Sequence, residues 1–234
     1  MLPGALVAEV TCASGCDWIC IDQQHGHISD AEMRLMVQAA AIRRTPALVR
    51  VPWNEPGAIM RALDAGAEGI IVPMVSTVEE ATRAVGASRY PPGGFRSWGA
   101  LRAGMARSDY GPAVGNAETV CLVMIETIEG YENLDKILDV QGVDGVLVGP
   151  GDLAISHTGE AQGAARSSKD MEMVIEIAKA CTRRGLVAAM SWVGADLTST
   201  WIEAGYTWLN VPSDAAFLSE GVARTVDEVR AAAG

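Results

Sequence analysis

The chain reads as an α/β protein of repeated strand–helix units, closed into a barrel rather than spread as an open sheet. Three observations predict this. Short apolar runs alternate with helical patterns almost to the C-terminus, the arrangement that builds parallel sheets through right-handed crossovers. Alanine, valine and glycine abound while aromatic residues make up only 5%, which suits short buried strands under small-residue helices. No G-x-G-x-x-G follows a strand and no Walker A motif is present, so the nucleotide-binding open sheets lack their usual signature.

A short helix is expected over about Ala5 to Ala13, ahead of a first strand, "WICID", from Trp18 to Asp22. Ser29 and Glu32 then form a capping box, and Met33, Met36, Val37 and Ala40 mark one helical face. The second strand is "ALVRV" from Ala47, after which Asn54 is placed to cap a helix that tolerates Pro56 in its first turn. "GIIVP" from Gly69 is the third strand, with Ser76 and Glu79 as a second capping box. "RYPPGGFRSWGALRAG" opens an irregular stretch reaching about Glu118, a length that inside a compact domain usually marks function or disorder. "VCLVMIE", "GVLVG", "VAAMS" and "TWLNV" bring the strands to seven, with helical segments between and after them. A closed (β/α)8 barrel needs one strand more, ahead of the first helix, so the N-terminal end is expected to lack the usual first strand. There is no linker and no composition break, which predicts one domain over residues 1–234.

Composition narrows the function. A formal net charge of -11 argues against nucleic-acid binding, which needs clustered Lys and Arg to neutralise phosphate. No apolar run approaches the roughly 18 residues that cross a bilayer, and "MLPGALVAEV" lacks the basic start of a signal peptide. Five cysteines without C-x-x-C spacing read as small buried hydrophobes in a reducing compartment, so a cytoplasmic location is expected. Cys12, Cys16 and Cys20 recur every four residues, but Cys20 falls in a strand while the other two fall on a helix, which disfavours a zinc site.

In a barrel the working residues sit at strand C-terminal ends and in the loops that follow. Those ends supply Asp22 with His25, Arg50, Glu126, and Asp152 just after "GVLVG". Singly, each reads equally well as a cap or a salt-bridge partner; together, on one rim, they suggest a site. Glu126 and Asp152 come from adjacent strands, and two carboxylates without Cys or His suit a hard ion such as Mg2+ or Mn2+. "GPGD", Gly149, Pro150, Gly151 and Asp152, offers backbone N–H groups to a substrate carboxylate, although such a run is usually only a turn. Arg50 ends an apolar strand and needs either a rim carboxylate or an oxyanion as partner. Proton transfer at neutral pH falls to His25 or His27, and Asp22 is placed to hold the His25 ring. The only lysines, Lys136, Lys169 and Lys179, fall on helices, which disfavours Schiff-base chemistry, and no G-x-S-x-G is present.

At these residues the chain resembles the metal-dependent class II pyruvate aldolases of the HpcH/HpaI aldolase family. The matching stretches are "GCDWICIDQQHG", "VRVPWNEP", "ALDAGAEGIIVPMV", "RYPPGGFRSWG", "MIET", "GVDGVLVGPGDLA" and "AGYTWLNVPSD", in family order over nearly the whole chain. The resemblance implies a TIM barrel that reversibly cleaves 4-hydroxy-2-oxo acids to pyruvate (or hydroxypyruvate) and an aldehyde through a metal-stabilised enolate. It implies that Glu126 and Asp152 bind a divalent cation (Mg2+, Mn2+ or Co2+), that Arg50 steadies the enolate oxygen, and that His25 paired with Asp22 is the base. The N–H groups around Gly149 to Asp152 would take the pyruvate carboxylate, and Asp64 matches an aspartate that in relatives lies near a neighbouring subunit's site. Gln24 stands where many members have glutamate, and Met124 where glutamine is common. A homo-oligomer, hexameric or dimer-based, is expected, with the helix after Ser213 packed on a neighbour. Two other readings compete: an acyl-CoA lyase of the malyl-CoA type, which would need a basic site for CoA phosphates, and a truncated non-catalytic scaffold.

Overall fold

The computed structural model describes residues 2–160, 167–191 and 194–233. Its first half runs α1 (Ala5–Ala13), β1 (Ile19–Asp22), α2 (Asp30–Arg43), β2 (Ala47–Arg50), α3 (Pro56–Asp64), β3 (Gly69–Val72), α4 (Val78–Ser88), α5 (Leu101–Ala106) and α6 (Pro112–Glu118). The second half runs β4 (Val120–Ile125), α7 (Ile128–Glu132), α8 (Leu134–Leu138), β5 (Gly145–Val148), α9 (Pro150–Thr158), α10 (Ser168–Arg184), β6 (Val187–Met190), α11 (Thr198–Ala204), β7 (Trp208–Leu209) and α12 (Asp214–Ala233).

The strands form one parallel sheet in the order β1-β2-β3-β4-β5-β6-β7. It curls without closing. Trp18, just ahead of β1, and Trp208, in β7, meet with ring centroids 5.3 Å apart, yet no ladder joins the two edge strands among the described residues. The described strands thus form an open, curled half-barrel of seven, barrel-like and one strand short of a (β/α)8 barrel, as the count of apolar runs implies.

Side chains alternate along each strand, so the sheet has two apolar faces. Leu48, Ile71, Leu122, Met124, Leu147 and Ala189 fill the concave face, while Ile21, Val49, Ile70, Val123, Val146 and Ala188 join the larger core under the helices. Both faces are largely buried, which is why the strands read as unbroken apolar runs. The same alternation carries Asp22, Arg50, Glu126 and Gly149 to the concave side, two residues past Cys20, Leu48, Met124 and Leu147.

Tertiary contacts override some of the local signals. Ser29 and Glu32 cap α2 reciprocally as expected. The box on α4 is Thr77 with Glu80, one residue later than Ser76 and Glu79, because the Ser76 hydroxyl is bonded to Thr127 Oγ1 at 2.6 Å. Asn54 does not cap α3. Its amide donates to the Glu80 carbonyl at 2.9 Å, and Glu55 holds the cap position without a side-chain bond. Cys16 lies beyond the end of α1, all five cysteines are free thiols, and the stretch up to Glu118 contains α5 and α6. Lys136 lies on α8, and Lys169 and Lys179 on α10, none of them on the sheet. No helix among the described residues is long and apolar enough to cross a membrane.

Candidate active site

Asp22 and Arg50 are partners in the β1–β2 ladder, which sets their side chains side by side on the concave rim. The Arg50 Nε donates to Asp22 Oδ1 and Nη2 to Oδ2, both at 2.7 Å, the two-point geometry that makes such pairs strong. Asp22 Oδ1 also accepts the backbone N–H groups of Gln24 at 3.0 Å and His25 at 3.3 Å, which turns the loop. Burial raises the Asp22 carboxyl, but the Arg50 fork and the two N–H groups outweigh it and hold it below the usual range.

The expected hold of Asp22 on the His25 ring is thereby corrected: the carboxylate grips Arg50 and the loop backbone. The register leaves the guanidinium directly opposite, and the main-chain N–H groups are taken by Oδ1. His25 and His27 are both exposed, and neither ring makes a hydrogen bond among the described residues.

Glu126, one residue past β4, is 1% exposed. Its Oε1 accepts the Met74 N–H at 2.6 Å, from a residue held at φ 56°, a left-handed conformation that costs a methionine energy. Its Oε2 has no protein donor among the described residues and faces the gap left by Gly149. A Cβ on Gly149 would run into that oxygen and stand 2.9 Å from Glu126 Cβ and 3.2 Å from Met124 Cε. Burial pushes the Glu126 carboxyl up to about 7; the Asp152 charge adds to this, while the Met74 N–H and Arg50 oppose it.

Asp152 stands in the first turn of α9, which begins one residue after β5 with Gly149 as cap and Pro150 leading. The N–H groups of Gly151 and Asp152 have no partner among the described residues, and a helix N-terminus favours an anion. The Arg50 Nη1 is free of Asp22, and among the described residues its one hydrogen-bond contact is the Met124 thioether, at 4.0 Å. Among the described residues no three His, Cys, Asp or Glu side chains gather as a ligand set. A pair of carboxylates, one buried and carrying an oxygen without a donor, fits a hard dication completed by water and substrate oxygens.

The sequence matches the HpcH/HpaI aldolase/citrate lyase family over residues 3–218. The chain belongs to that family. It is 36% identical over 220 residues to a 4-hydroxy-2-oxo-heptane-1,7-dioate aldolase of Klebsiella pneumoniae, covering 92% of this chain and 81% of the relative. Its fold is similar to that of macrophomate synthase, with a TM-score of 0.89 and 30% identity over 99% of this chain and 82% of the other. It is similar also to the citrate synthase SbnG, with a TM-score of 0.88 and 27% identity over 99% of this chain and 91% of the other.

Within one chain of this family member, Asp64 does not join the rim. It ends α3, five residues ahead of β3, and so lies toward the amino ends of the strands. There it pairs with the fully buried Arg96 at 2.8 Å and lines a cavity of about 390 Å3 beside Arg34, Arg61 and Arg102. One residue beside the rim has no signal in the sequence: Met74, since methionine is not a residue that advertises positive φ. Met124 stands out only through the resemblance, as a departure from a common glutamine.

Proposed function

We propose that this chain is a divalent-metal-dependent aldolase that cleaves a 4-hydroxy-2-oxo acid to pyruvate, or a close 2-oxo acid, and an aldehyde. The observation that carries the reading is the Glu126 carboxylate: buried, beside Asp152, with Oε2 lacking a donor and a glycine clearing the space in front of it. Glu126 and Asp152 would hold the cation. When bound, such an ion supplies Lewis acidity toward the oxygens of a 2-oxo acid.

The remaining work falls to this chain's own groups. The Gly151 and Asp152 N–H groups at the start of α9 receive the substrate carboxylate. Arg50, locked by Asp22 through Nε and Nη2, turns Nη1 to the oxyanion that develops at C2. His25 takes the proton of the 4-hydroxyl as the C3–C4 bond breaks; the aldehyde leaves, and His25 returns that proton to C3 to give the methyl group. The test is aldol turnover of pyruvate or hydroxypyruvate with a panel of aldehydes, with and without Mg2+, Mn2+ or Co2+. Turnover that survives in a verified metal-free preparation would refute the mechanism.

The proposal includes a homo-oligomer. The α12 helix has no buried residue and shows Phe217, Leu218, Val222, Val226 and Val229 to solvent, while α1 exposes Leu6 at 71% and Val10 at 60%. Apolar faces of this size are normally covered. Asp64, at the far end of its own sheet, reaches a site only if a neighbouring copy presents it there.

A further inference from the structure

His157 is the third of the chain's three histidines, and nothing in the proposed chemistry uses it. It lies in the last turn of α9, and its Nδ1 donates to Asp170 Oδ1, 2.9 Å away in the first turn of α10. Asp170 is 4% exposed, and its own N–H is held by the Ser167 hydroxyl. Each side chain stands where its helix dipole favours it, the imidazole at a C-terminus and the carboxylate at an N-terminus.

The opposite end of α9 carries Asp152. Only Pro150, Leu153 and Ala154 of this helix are buried, so apolar packing fixes it weakly. Two polar tethers supplement that packing. The Ile128 N–H, two residues past Glu126, donates to Ser156 Oγ at 3.0 Å, and the neighbouring His157 is tied to Asp170.

We propose that the His157–Asp170 pair is a positioning device for Asp152, fixing the far end of α9 so that its first turn presents the carboxylate to Glu126. The proposal rests on reading Asp152 as a metal ligand. Five residues of α-helix rotate the chain by about 140° net and raise it by about 7.5 Å, so His157 acts through the helix and not by touching Asp152. A pair that merely joined two helices would affect thermal stability and leave ion binding alone.

The experiment is Mn2+ titration of the full chain, followed by the electron paramagnetic resonance signal of free Mn2+, beside thermal unfolding of the metal-free protein. We expect His157→Ala to weaken Mn2+ binding by about tenfold, as lost outer-sphere supports commonly do. His157→Asn, whose amide N–H falls near the position of Nδ1, should restore most of the affinity. Asp170→Asn, which keeps size and removes charge, should weaken binding measurably, and it decides the matter if His157→Ala does not fold. Wild-type affinity in His157→Ala or Asp170→Asn, whatever the melting temperature, would overturn the proposal. So would His157→Asn binding as weakly as His157→Ala. A wild-type chain that takes up no Mn2+ would instead overturn the reading of Glu126 and Asp152, and this inference with it.

Discussion

Asp22 and Arg50 face each other across the β1–β2 ladder and are joined at two points, each 2.7 Å long. The pair is largely out of solvent, with side-chain exposures of 6% for Asp22 and 17% for Arg50. Two of the five guanidinium N–H groups are used in this contact, one on Nε and one on Nη2. The second Nη2 N–H and the two on Nη1 remain, with Nη1 directed at the Met124 thioether. Asp22 thus acts as a support for Arg50, and through the Gln24 and His25 N–H groups it also sets the loop that carries His25.

Removing one partner of a buried pair leaves the other uncompensated, so Asp22→Ala should lose roughly 3 kcal/mol of stability in denaturant titration. Asp22→Ala together with Arg50→Ala should lose less than the sum of the single changes, and strict additivity would show that the fork contributes nothing. The sign with pH follows from the lowered Asp22 pKa. Its stabilisation is present above the ordinary carboxyl value of 3.8 and is lost as pH falls through the lower folded value.

Much of this site was legible in the sequence because a parallel sheet buried on both faces writes each strand as an apolar run, and a polar residue ending such a run is conspicuous. Asp22, Arg50 and Glu126 were found in that way, and Asp152 by its place after the fifth run. Partnership was not legible. Asp22 lies three residues from His25 and 28 from Arg50, yet register across the ladder outweighs nearness in sequence. The α4 cap slipped by one residue for a similar reason: Ser76 and Thr77 are equally good caps locally, and the tertiary bond from Ser76 to Thr127 decides between them. The open edge was legible too: seven runs leave a (β/α)8 barrel one strand short, and no ladder joins the edge strands among the described residues.

Glu126 makes a metal prediction with a defined pH window. Its folded pKa is raised from 4.5 to about 7, so in the metal-free protein the stability this group lends is full below pH 4.5 and is lost as pH rises through about 7. A cation competes with that proton. Divalent ion affinity should therefore climb across pH 6 to 8, on the order of tenfold per unit below the pKa and flattening above it. Glu126→Gln should abolish the climb and weaken metal retention while the protein stays folded. A flat affinity profile in the wild type would exclude Glu126 as the titrating ligand.

Gly149 is required by space. A methyl group there collides with Glu126 Oε2 and approaches Met124 Cε to 3.2 Å, and the backbone of a parallel strand end has little room to retreat. Gly149→Ala should displace the Glu126 carboxylate, cutting kcat/KM by about 10²-fold or more, the scale seen when a reacting geometry is misplaced by about 1 Å. Gly104→Ala, on α5, whose Cβ would meet nothing within 4 Å, is the control and should keep most activity. Equal losses at both positions would show that the loss at Gly149 is not specific to the Glu126 carboxylate.

The exposed faces predict association. Sedimentation at low micromolar concentration should give an oligomer, and replacing Leu218 and Val222 on α12 by glutamate should shift it toward smaller species. If Asp64 serves a neighbouring copy, the same change should reduce turnover although α12 carries none of the candidate site residues. A wild-type monomer with full activity would remove both the oligomer and that role for Asp64.

The histidines give the sharpest division of labour. The His25 N–H is pinned to Asp22 at 3.3 Å, which keeps the residue at the rim, while its exposed ring stays free of protein partners among the described residues and available to a substrate proton. His27 is two residues further along, close to the Ser29 cap of α2, and just as exposed. His25→Ala should slow aldol turnover and deuterium exchange into the pyruvate methyl group together, because one base serves both proton transfers, by about 10²- to 10⁴-fold. His27→Ala should cost little in either assay. Pyruvate binding should survive in both variants, since Arg50, Glu126 and the start of α9 are untouched. Because Asp22 reaches the loop backbone and not the ring, Asp22→Asn should disturb pyruvate affinity through Arg50 at least as much as it disturbs exchange. An exchange rate that collapses in Asp22→Asn with pyruvate binding intact would instead show that the carboxylate serves the His25 ring during turnover. A crippled His27→Ala beside a normal His25→Ala would move the base two residues along the loop.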